Sequence, residues 1–443
     1  MNRTLARFVS DYGMVFVLLV LCGYLSWATF AEQSATGAAA GRQVAAAAIE
    51  RGGHDASVLV VAGKSADDLA FADAAAAELG PAAVGVVKGQ PQDLRAELEK
   101  LTARGGRLDV IAATRIAASW NVLERLGQLF PQFRQVAVVT PQTYYWPNFL
   151  TVTNLVNVAN QTAVRAIIAI GMTMVILTGG IDLSVGSLIA LSSVCAAMVI
   201  ERFGGREAGS LVMVLGSLAG IAVCAASGLF SGLMVTMFRI PAFVVTLAVM
   251  LIARGAAFRL TGGESIAQLP EAFMWLGRGA DLGLPNAVVL TIVLYIVAYV
   301  IMSRTRLGRY IYAVGGNAQA ARLSGVRVER ILLVVYTVCG ALAGLGGIVT
   351  ASLLKSGDPK FGYLAELYVI AAVVVGGTSL SGGEGKILGT LIGALFIAVI
   401  ENGMNLTNID PFTQMIVLGL VILGAVLLDT LKKRPSWRRK LAI

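Results

Sequence analysis

Apolar runs of bilayer-spanning length recur through this chain, and no other feature restricts its fold as much. About 17–25 such residues cross the hydrocarbon layer of a membrane as one helix. They place spans at 14–30, 152–177, 184–201, 210–236, 241–260, 284–303, 330–353, 364–380, 387–402 and 411–430. Only 14% of the 443 residues are charged, where a soluble domain carries roughly 25%. The expectation is an all-α polytopic membrane protein with about ten transmembrane helices, 184–201 being short enough to be partly re-entrant. The first span is read as a retained helix, although Ala28, Ala31, Ser34 and Ala35 leave a signal-type cleavage site conceivable.

Charge placement then orients the spans. The net charge is +9, yet residues 31–148 are near neutral, with 11 basic and 12 acidic residues against 24 and 14 in the rest. Arg3 and Arg7 precede the first span, the segment 304–330 carries six arginines, and Lys432 to Lys440 close the chain. With ten spans these basic segments share one side, which Lys/Arg bias marks as cytoplasmic. The basic residues flank apolar runs, so they read as topology and headgroup contact and not as a nucleic-acid surface. Cys22, Cys195, Cys224 and Cys339 lie within apolar runs, and His54 is the only histidine. Metal centres, disulfide frameworks and histidine-based catalysis therefore find no support.

Residues 31–148 fall on the outer side in this topology and follow a different pattern. Short β-branched runs at Val58–Ala62, Val84–Lys88, Asp109–Ala113 and Val136–Thr140 alternate with helical segments at Asp67–Leu79, Gln92–Ala103 and Ser119–Leu129. That order, βαβαβαβ, predicts a small inserted α/β domain with parallel strands. An Ala-rich helix near 36–50 precedes it and a return at Pro141–Pro147 follows. Gly63 after the first strand falls short of a dinucleotide fingerprint, so the segment reads as a docking module or a ligand sensor.

Three motifs stand out. Gly179 to Ser187 (GGIDLSVGS) breaks two apolar helices, and Asp182 and Ser184 there can cap the second or face a solute. Thr305 to Tyr310 runs into Gly315-Gly316-Asn317 and Ala320–Gly325, where Asn317 can cap two helical turns that Gly325 stops. Leu380-Ser381-Gly382-Gly383-Glu384 matches a signature of ATP-binding cassette ATPases. It lies between two spans, however, and the chain has no G-x-x-x-x-G-K-[ST] phosphate loop, so this chain is not expected to hydrolyse ATP. Gly228/Gly232, Gly340/Gly344 and Gly389/Gly393 allow close helix packing. Asn160, Gln161, Glu366, Tyr368, Glu401 and Asn402 put polar groups inside spans, as do Arg165 and Arg254. Such groups must find partners or line an aqueous path. Asn160, Gln161, Asp182, Ser184, Glu366, Tyr368 and Asn402 are the candidates for a solute pathway.

These motifs together resemble the ribose-type permeases of bacterial ATP-binding cassette importers. The match runs from about Asn148 to Asp429 through Gly171–Thr178, Gly180–Ser187, Thr305–Tyr310, Gly315–Asn317, Arg322–Gly325, Ile370–Ser379, Gly389–Ala394 and Asn402–Leu406. The resemblance implies transport of a small neutral solute such as a monosaccharide or polyol across the inner membrane, with no cofactor. It implies a pair of permease chains, taken as a homodimer, two cytoplasmic ATPase subunits and a periplasmic solute-binding protein. It also maps the ATPase-coupling segment onto Gly316–Gly325, including Gly316, Asn317, Ala320, Arg322, Ser324 and Gly325. The chain departs from the family pattern in its long segment after the first span. It departs again before Ile370, where Tyr368 replaces an aspartate. An ion-coupled carrier and a membrane sensor are the competing function classes; the first lacks paired midplane charges and clear internal repeats, the second a cytoplasmic output domain.

Overall fold

The computed structural model describes residues 3–53 and 55–433 and divides them into two compact units, one of Phe30–Asn148 and one of the residues on either side. His54 and the chain beyond Lys433 lie outside the described residues.

The flanking unit is helical. Its helices longer than two turns are α1 (Arg3–Ala28), then α5 (Val152–Leu177), α6 (Val185–Arg202), α7 (Ser210–Met237), α8 (Ala242–Thr261), α9 (Asn286–Arg304), α10 (Arg306–Leu323), α11 (Val328–Leu354), α12 (Ala365–Val375), α13 (Ile387–Leu406) and α14 (Pro411–Lys433). Seven of them, α5 to α9, α11 and α13, are long and apolar enough to cross a membrane, and shorter apolar helices lie at Gly13–Ala28, Ala365–Val375 and Pro411–Leu427. This is the helical framework of a multi-pass membrane protein. Glycine sets its closest packing. A Cβ on Gly228 of α7 would sit 2.2 Å from the Tyr336 carbonyl, and one on Gly340 of α11 would sit 2.3 Å from the Cys224 carbonyl. Gly393 of α13 meets Ala372 of α12 in the same way, at 2.0 Å. Without lipid-driven hydrophobic attraction, such backbone approach is what holds membrane helices together.

The span expected over 364–380 is corrected. Its helix ends at Val375, after 11 residues, because Gly376 and Gly377 follow and Gly377 takes φ +90°, where continuing a helix is unfavourable. What precedes α12 is also non-helical: Lys355 and Leu364 both adopt positive φ, and the chain between them is irregular.

In the second unit, β2 (Val58–Ala62), β3 (Ala83–Lys88), β4 (Val110–Ala113) and β5 (Ala137–Val139) form a parallel sheet in the order β3-β2-β4-β5. All five residues of β2 are buried, as befits the central strand of a parallel sheet covered on both faces. Helices α2 (Gly37–Gly52), α3 (Ala66–Leu79) and α4 (Pro91–Ala103) accompany it. The starts of α3 and α4 are closed from within: Asp68 accepts from the Ser65 hydroxyl (2.6 Å), and Asp93 accepts from the Gln90 N–H (2.8 Å). Carboxylates thus occupy the positions an anion would take. The helix expected over Ser119–Leu129 is instead a series of single turns, Arg115–Ala118, Asn121–Glu124 and Leu126–Leu129. An antiparallel ribbon of β1 (Phe30–Ser34) and β6 (Thr143–Pro147) completes the unit; the sequence pattern had suggested no pairing there.

Candidate translocation and coupling site

Polar groups inside the helical unit collect along one seam and around one break. The seam begins on α5, where Asn154, Gln161 and Arg165 recur at 7- and 11-residue spacing and so share a face. Asn154 and Asn402 of α13 exchange amide hydrogen bonds in both directions, at 3.0 and 2.7 Å, and the Asn154 amide also donates to the Phe149 carbonyl. Both asparagines are buried. This reciprocal pair satisfies two amides where water is scarce, so Asn402 serves first as a clamp between α5 and α13. Deeper in, Arg165 pairs with Glu401 of α13, and its guanidinium lies 4.8 Å from the centre of the Tyr368 ring. An arginine inside a span is thereby matched by a carboxylate and an aromatic face. A small cleft lined by Tyr368, Glu401, Met404 and Gln414 opens beside them. The side-chain oxygens of Asn160 and Gln161 are buried without a hydrogen-bond partner among the described residues.

The break lies between α5 and α6. Gly179 takes φ +79°, and a Cβ on Gly180 would sit 2.4 Å from the Tyr336 hydroxyl. Tyr336 is two turns, ~12 Å, from the start of α11, so the irregular backbone reaches well into the span. Non-helical backbone at that depth must be enclosed in protein, and it is: Asp182 and Ser184 are fully buried. The Asp182 carboxylate accepts from the Ser184 N–H (2.9 Å) and hydroxyl (2.6 Å), and Thr246 of α8 donates to the Ile181 carbonyl (3.2 Å). Ser184 makes no side-chain cap of its own, because its backbone is already helical (φ −80°, ψ −17°) and not in the extended conformation a capping side chain needs; of the two residues expected to cap, Asp182 alone closes the helix start, by accepting from the Ser184 N–H.

A second irregular segment meets this one. Residues 355–364 start beside Ile266, which bridges Gly357, and end where a Cβ on Gly362 would sit 2.2 Å from the Gly186 carbonyl. Arg254 of α8 organises the segment by donating to the carbonyls of Pro359 (2.9 Å), Phe361 (2.7 Å) and Gly362 (3.3 Å). The Glu366 carboxylate, at the start of α12, lies against Gly186 in the first turn of α6, where a helix dipole favours negative charge. Asp182, Ser184 and Glu366 therefore come together around the start of α6, whereas Gln161, Tyr368 and Asn402 belong to the seam. Sequence reading missed Asn154, Tyr336 and the role of Arg254. Asn154 carried a legible signal, its helical spacing to Gln161 and Arg165.

The third feature is the base of α10. Asn317 interrupts this helix with extended backbone angles, and its side chain accepts from the Ala320 N–H at 2.9 Å. The segment from Gly316 to Gly325 is exposed apart from Ala321, with Leu323 86% exposed, and Gly325 takes φ +85°. Arg322 pairs with Glu329. Below the interruption, three stretches of backbone converge. The Gly383 N–H donates to the Leu177 carbonyl (2.9 Å), and the Tyr312 hydroxyl donates to the Gly385 carbonyl (2.8 Å). A Cβ on Gly315 would fall 1.7 Å from the Leu177 carbonyl and 2.6 Å from the Gly383 nitrogen. The glycines of Leu380–Glu384 thus let a loop seat against the ends of α5 and α10, a structural use for letters that otherwise suggest an ATPase.

Residues 154–426, more than half of the chain, match the family described as branched-chain amino acid transport system / permease component. The chain belongs to that permease family. Among curated relatives it is similar to the ribose import permease protein RbsC of Escherichia coli strain K12, with 47% identity covering 65% of this chain and 88% of that one. RbsC of Bacillus subtilis strain 168 shares 41% over 70% and 94%, respectively. The L-arabinose transport system permease protein AraH of E. coli K12 shares 36% over 66% and 86%. No solved structure matches. The permease match begins at Asn154 and includes the seam, both irregular segments and the base of α10, while Phe30–Asn148 precedes it.

Proposed function

We propose that this chain is the membrane-embedded permease subunit of an ATP-driven importer for a small neutral solute, a monosaccharide or polyol. The observation that carries the reading is the exposed, glycine-ended end of α10 after Asn317, whose preceding turns meet the end of α5 and the Gly376–Gly385 loop at Gly315 and Tyr312. The similarity to ribose and arabinose permeases supports the sugar class, and the neutral pairing of Arg165 with Glu401 suits an uncharged solute. Ten crossings are proposed, nine of them made by α1, α5 to α9, α11, α13 and α14 and the tenth by the short α12 together with the non-helical chain on either side of it. They place the amino terminus, α10 and the basic tail in the cytoplasm, and Phe30–Asn148 outside as an inserted α/β domain. Gly316, Asn317, Ala320, Arg322, Ser324 and Gly325 dock a cytoplasmic ATPase. Two copies of the chain work with two such ATPases and a periplasmic solute-binding protein. Asn160, Gln161 and Tyr368 line the pathway, Asp182, Ser184 and Glu366 shape its floor at the start of α6, and Asn402 holds its wall.

Purification of the detergent-solubilised chain from its native host tests this, with wild type and the double variant Asn317→Ala/Arg322→Ala side by side. Wild type is expected to bring down an ATPase carrying a phosphate loop. The double variant is expected to insert normally and to lose solute-stimulated ATP hydrolysis. Wild type recovered without any ATPase under conditions that preserve complexes would overturn the importer reading. A double variant with normal transport would overturn the coupling assignment.

A further inference from the structure

The β1–β6 ribbon has a composition that neither water nor a protein core explains. Its register pairs Phe30 with Pro147, Ala31 with Trp146, Glu32 with Tyr145, Gln33 with Tyr144 and Ser34 with Thr143. Directly opposed residues share a face, so Trp146 and Tyr144 project on one side and Phe30 and Tyr145 on the other. All four rings are exposed, at 58% for Phe30, 52% for Tyr144, 68% for Tyr145 and 47% for Trp146. Phe30 and Tyr145 stack with centroids 6.1 Å apart. A ribbon laid on a core would alternate buried and exposed positions; this one shows aromatic surface on both faces.

The chain on either side of the ribbon is pinned in the helical unit. Thr29 follows α1 directly, and its hydroxyl donates to the Leu25 carbonyl (2.7 Å) and accepts from the Phe149 N–H (3.0 Å). Phe149 is buried beside Leu18, Leu25, Val158 and Val399. Phe30 and Pro147 are thus one and two residues from a fixed point at the end of α1. That helix presents exposed Phe16, Leu19, Val20, Tyr24 and Trp27 along its length, an apolar surface of the kind lipid covers. At ~3.3 Å per row, the four rings lie within roughly 10 Å of the ribbon's first row. The polar layer on each side of the hydrocarbon is about 5–8 Å thick, a comparable depth.

We infer that the β1–β6 ribbon lies in the lipid headgroup layer, with Phe30, Tyr144, Tyr145 and Trp146 as its anchors. Two arguments select that layer. A two-stranded ribbon has two open edges of N–H and C=O groups, which the hydrocarbon interior does not tolerate. Four rings exposed on both faces oppose immersion in bulk water, and Tyr and Trp match an interface by their apolar bodies and polar tips. The ribbon joins the α/β unit to the membrane helices at both of its chain connections.

The test uses the full-length protein in lipid nanodiscs, comparing wild type with Trp146→Phe. The part of the tryptophan fluorescence that disappears in the variant reports on Trp146 alone. It is expected to be quenched at least twice as strongly by lipids brominated near the glycerol end of the acyl chain as by lipids brominated near the chain end, and weakly by aqueous iodide. Strong iodide quenching without lipid quenching would place the ribbon in water. Protection from both quenchers would place it against protein, and stronger deep quenching would place it in hydrocarbon; each result overturns the inference. Tyr144→Trp in the Trp146→Phe background gives a second depth reading if the first variant alters packing at its own position.

Discussion

Gly315 and Gly316 are neighbours in α10, and the structure assigns them opposite tolerances to a methyl group. A Cβ at Gly315 would lie 1.7 Å from the Leu177 carbonyl oxygen, whereas a Cβ at Gly316 meets nothing within 4 Å. Both obstacles at Gly315 are backbone, so no side chain can swing aside. Opening the gap to ordinary contact takes a shift of more than ~1.5 Å, which breaks the Gly383 N–H to Leu177 bond that closes the junction. An unmade buried hydrogen bond costs about 1–3 kcal/mol, and overpacking costs typically another ~1–3. Gly315→Ala should therefore destabilise the junction by roughly 2–6 kcal/mol, enough to separate the base of α10 from the end of α5. Gly316→Ala should be neutral or slightly stabilising, since alanine favours helix by up to ~1 kcal/mol. Gly315→Ala is expected to lower the unfolding temperature in detergent and, in proteoliposomes with the ATPase partner, to lose at least tenfold in uptake per ATP hydrolysed, whereas Gly316→Ala is expected to keep the wild-type unfolding temperature. Equal behaviour of the two variants, in either direction, would refute the idea that this three-way contact links the helix to the pathway.

Two further outcomes follow from hydrogen bonds on either side of the unit boundary. Arg254→Met removes the donors to three carbonyls of the 355–364 segment; leaving them unpaired should cost about 3 kcal/mol or more, read as a lowered unfolding temperature in detergent, and Arg254→Lys should recover only part of it because one ammonium cannot hold the same fork. In the α/β unit, the Asp109 carboxylate accepts from the Ser57 N–H (2.9 Å) and pairs with Arg107, which hold it below its usual carboxylate range. A lowered folded value means stability present above the unfolded value, near pH 4, and lost as pH falls through the folded one. Protection factors of the Val110–Ala113 amides, corrected for intrinsic exchange, should therefore decline below about pH 4 in wild type and decline less in Asp109→Asn.

Length and periodicity made most of the helical framework legible, because a bilayer demands apolar runs of one size. The run at 330–353 lies within α11, Val328–Leu354, and the β-branched runs at Val58–Ala62 and Val84–Lys88 coincide with strands. What escaped were features set by partners distant in sequence. The helix over 364–380 looked long because Gly376 and Gly377 are tolerated in apolar runs, and only their backbone angles show that it stops. Ribbon pairing between Phe30–Ser34 and Thr143–Pro147 joins segments more than 100 residues apart, beyond any local pattern. In the site, Asp182 and Ser184 were visible as a polar break, but Asn402 reads as a pathway group until Asn154 is seen across from it. Arg254 was legible only as a charge needing a partner; its partners turn out to be carbonyls, which no side-chain pattern reveals.

The position of α6 explains why two irregular segments in one unit are worth their cost. Its first turn touches the Gly179–Ser184 break directly and Glu366 through Gly186. The loop Gly376–Gly385 at the other end of α12 is bonded to both Leu177 and Tyr312. The base of α10 therefore reaches the start of α6 by two routes, one through the end of α5 and one through α12. An intact helix in place of either break would carry displacement along its whole length, including surfaces that face lipid. A break confines the displacement to a few residues whose backbone groups Thr246, Arg254 and Asp182 satisfy. On the proposed function, movement of the ATPase against Gly316–Gly325 would act on both segments together, because the Gly315–Leu177–Gly383 contact joins the end of α5 to the loop that leads back through α12 to residues 355–364. Neither segment could then shift alone. Opening on one side of the start of α6 would be tied to closure on the other, the relation that alternating access requires.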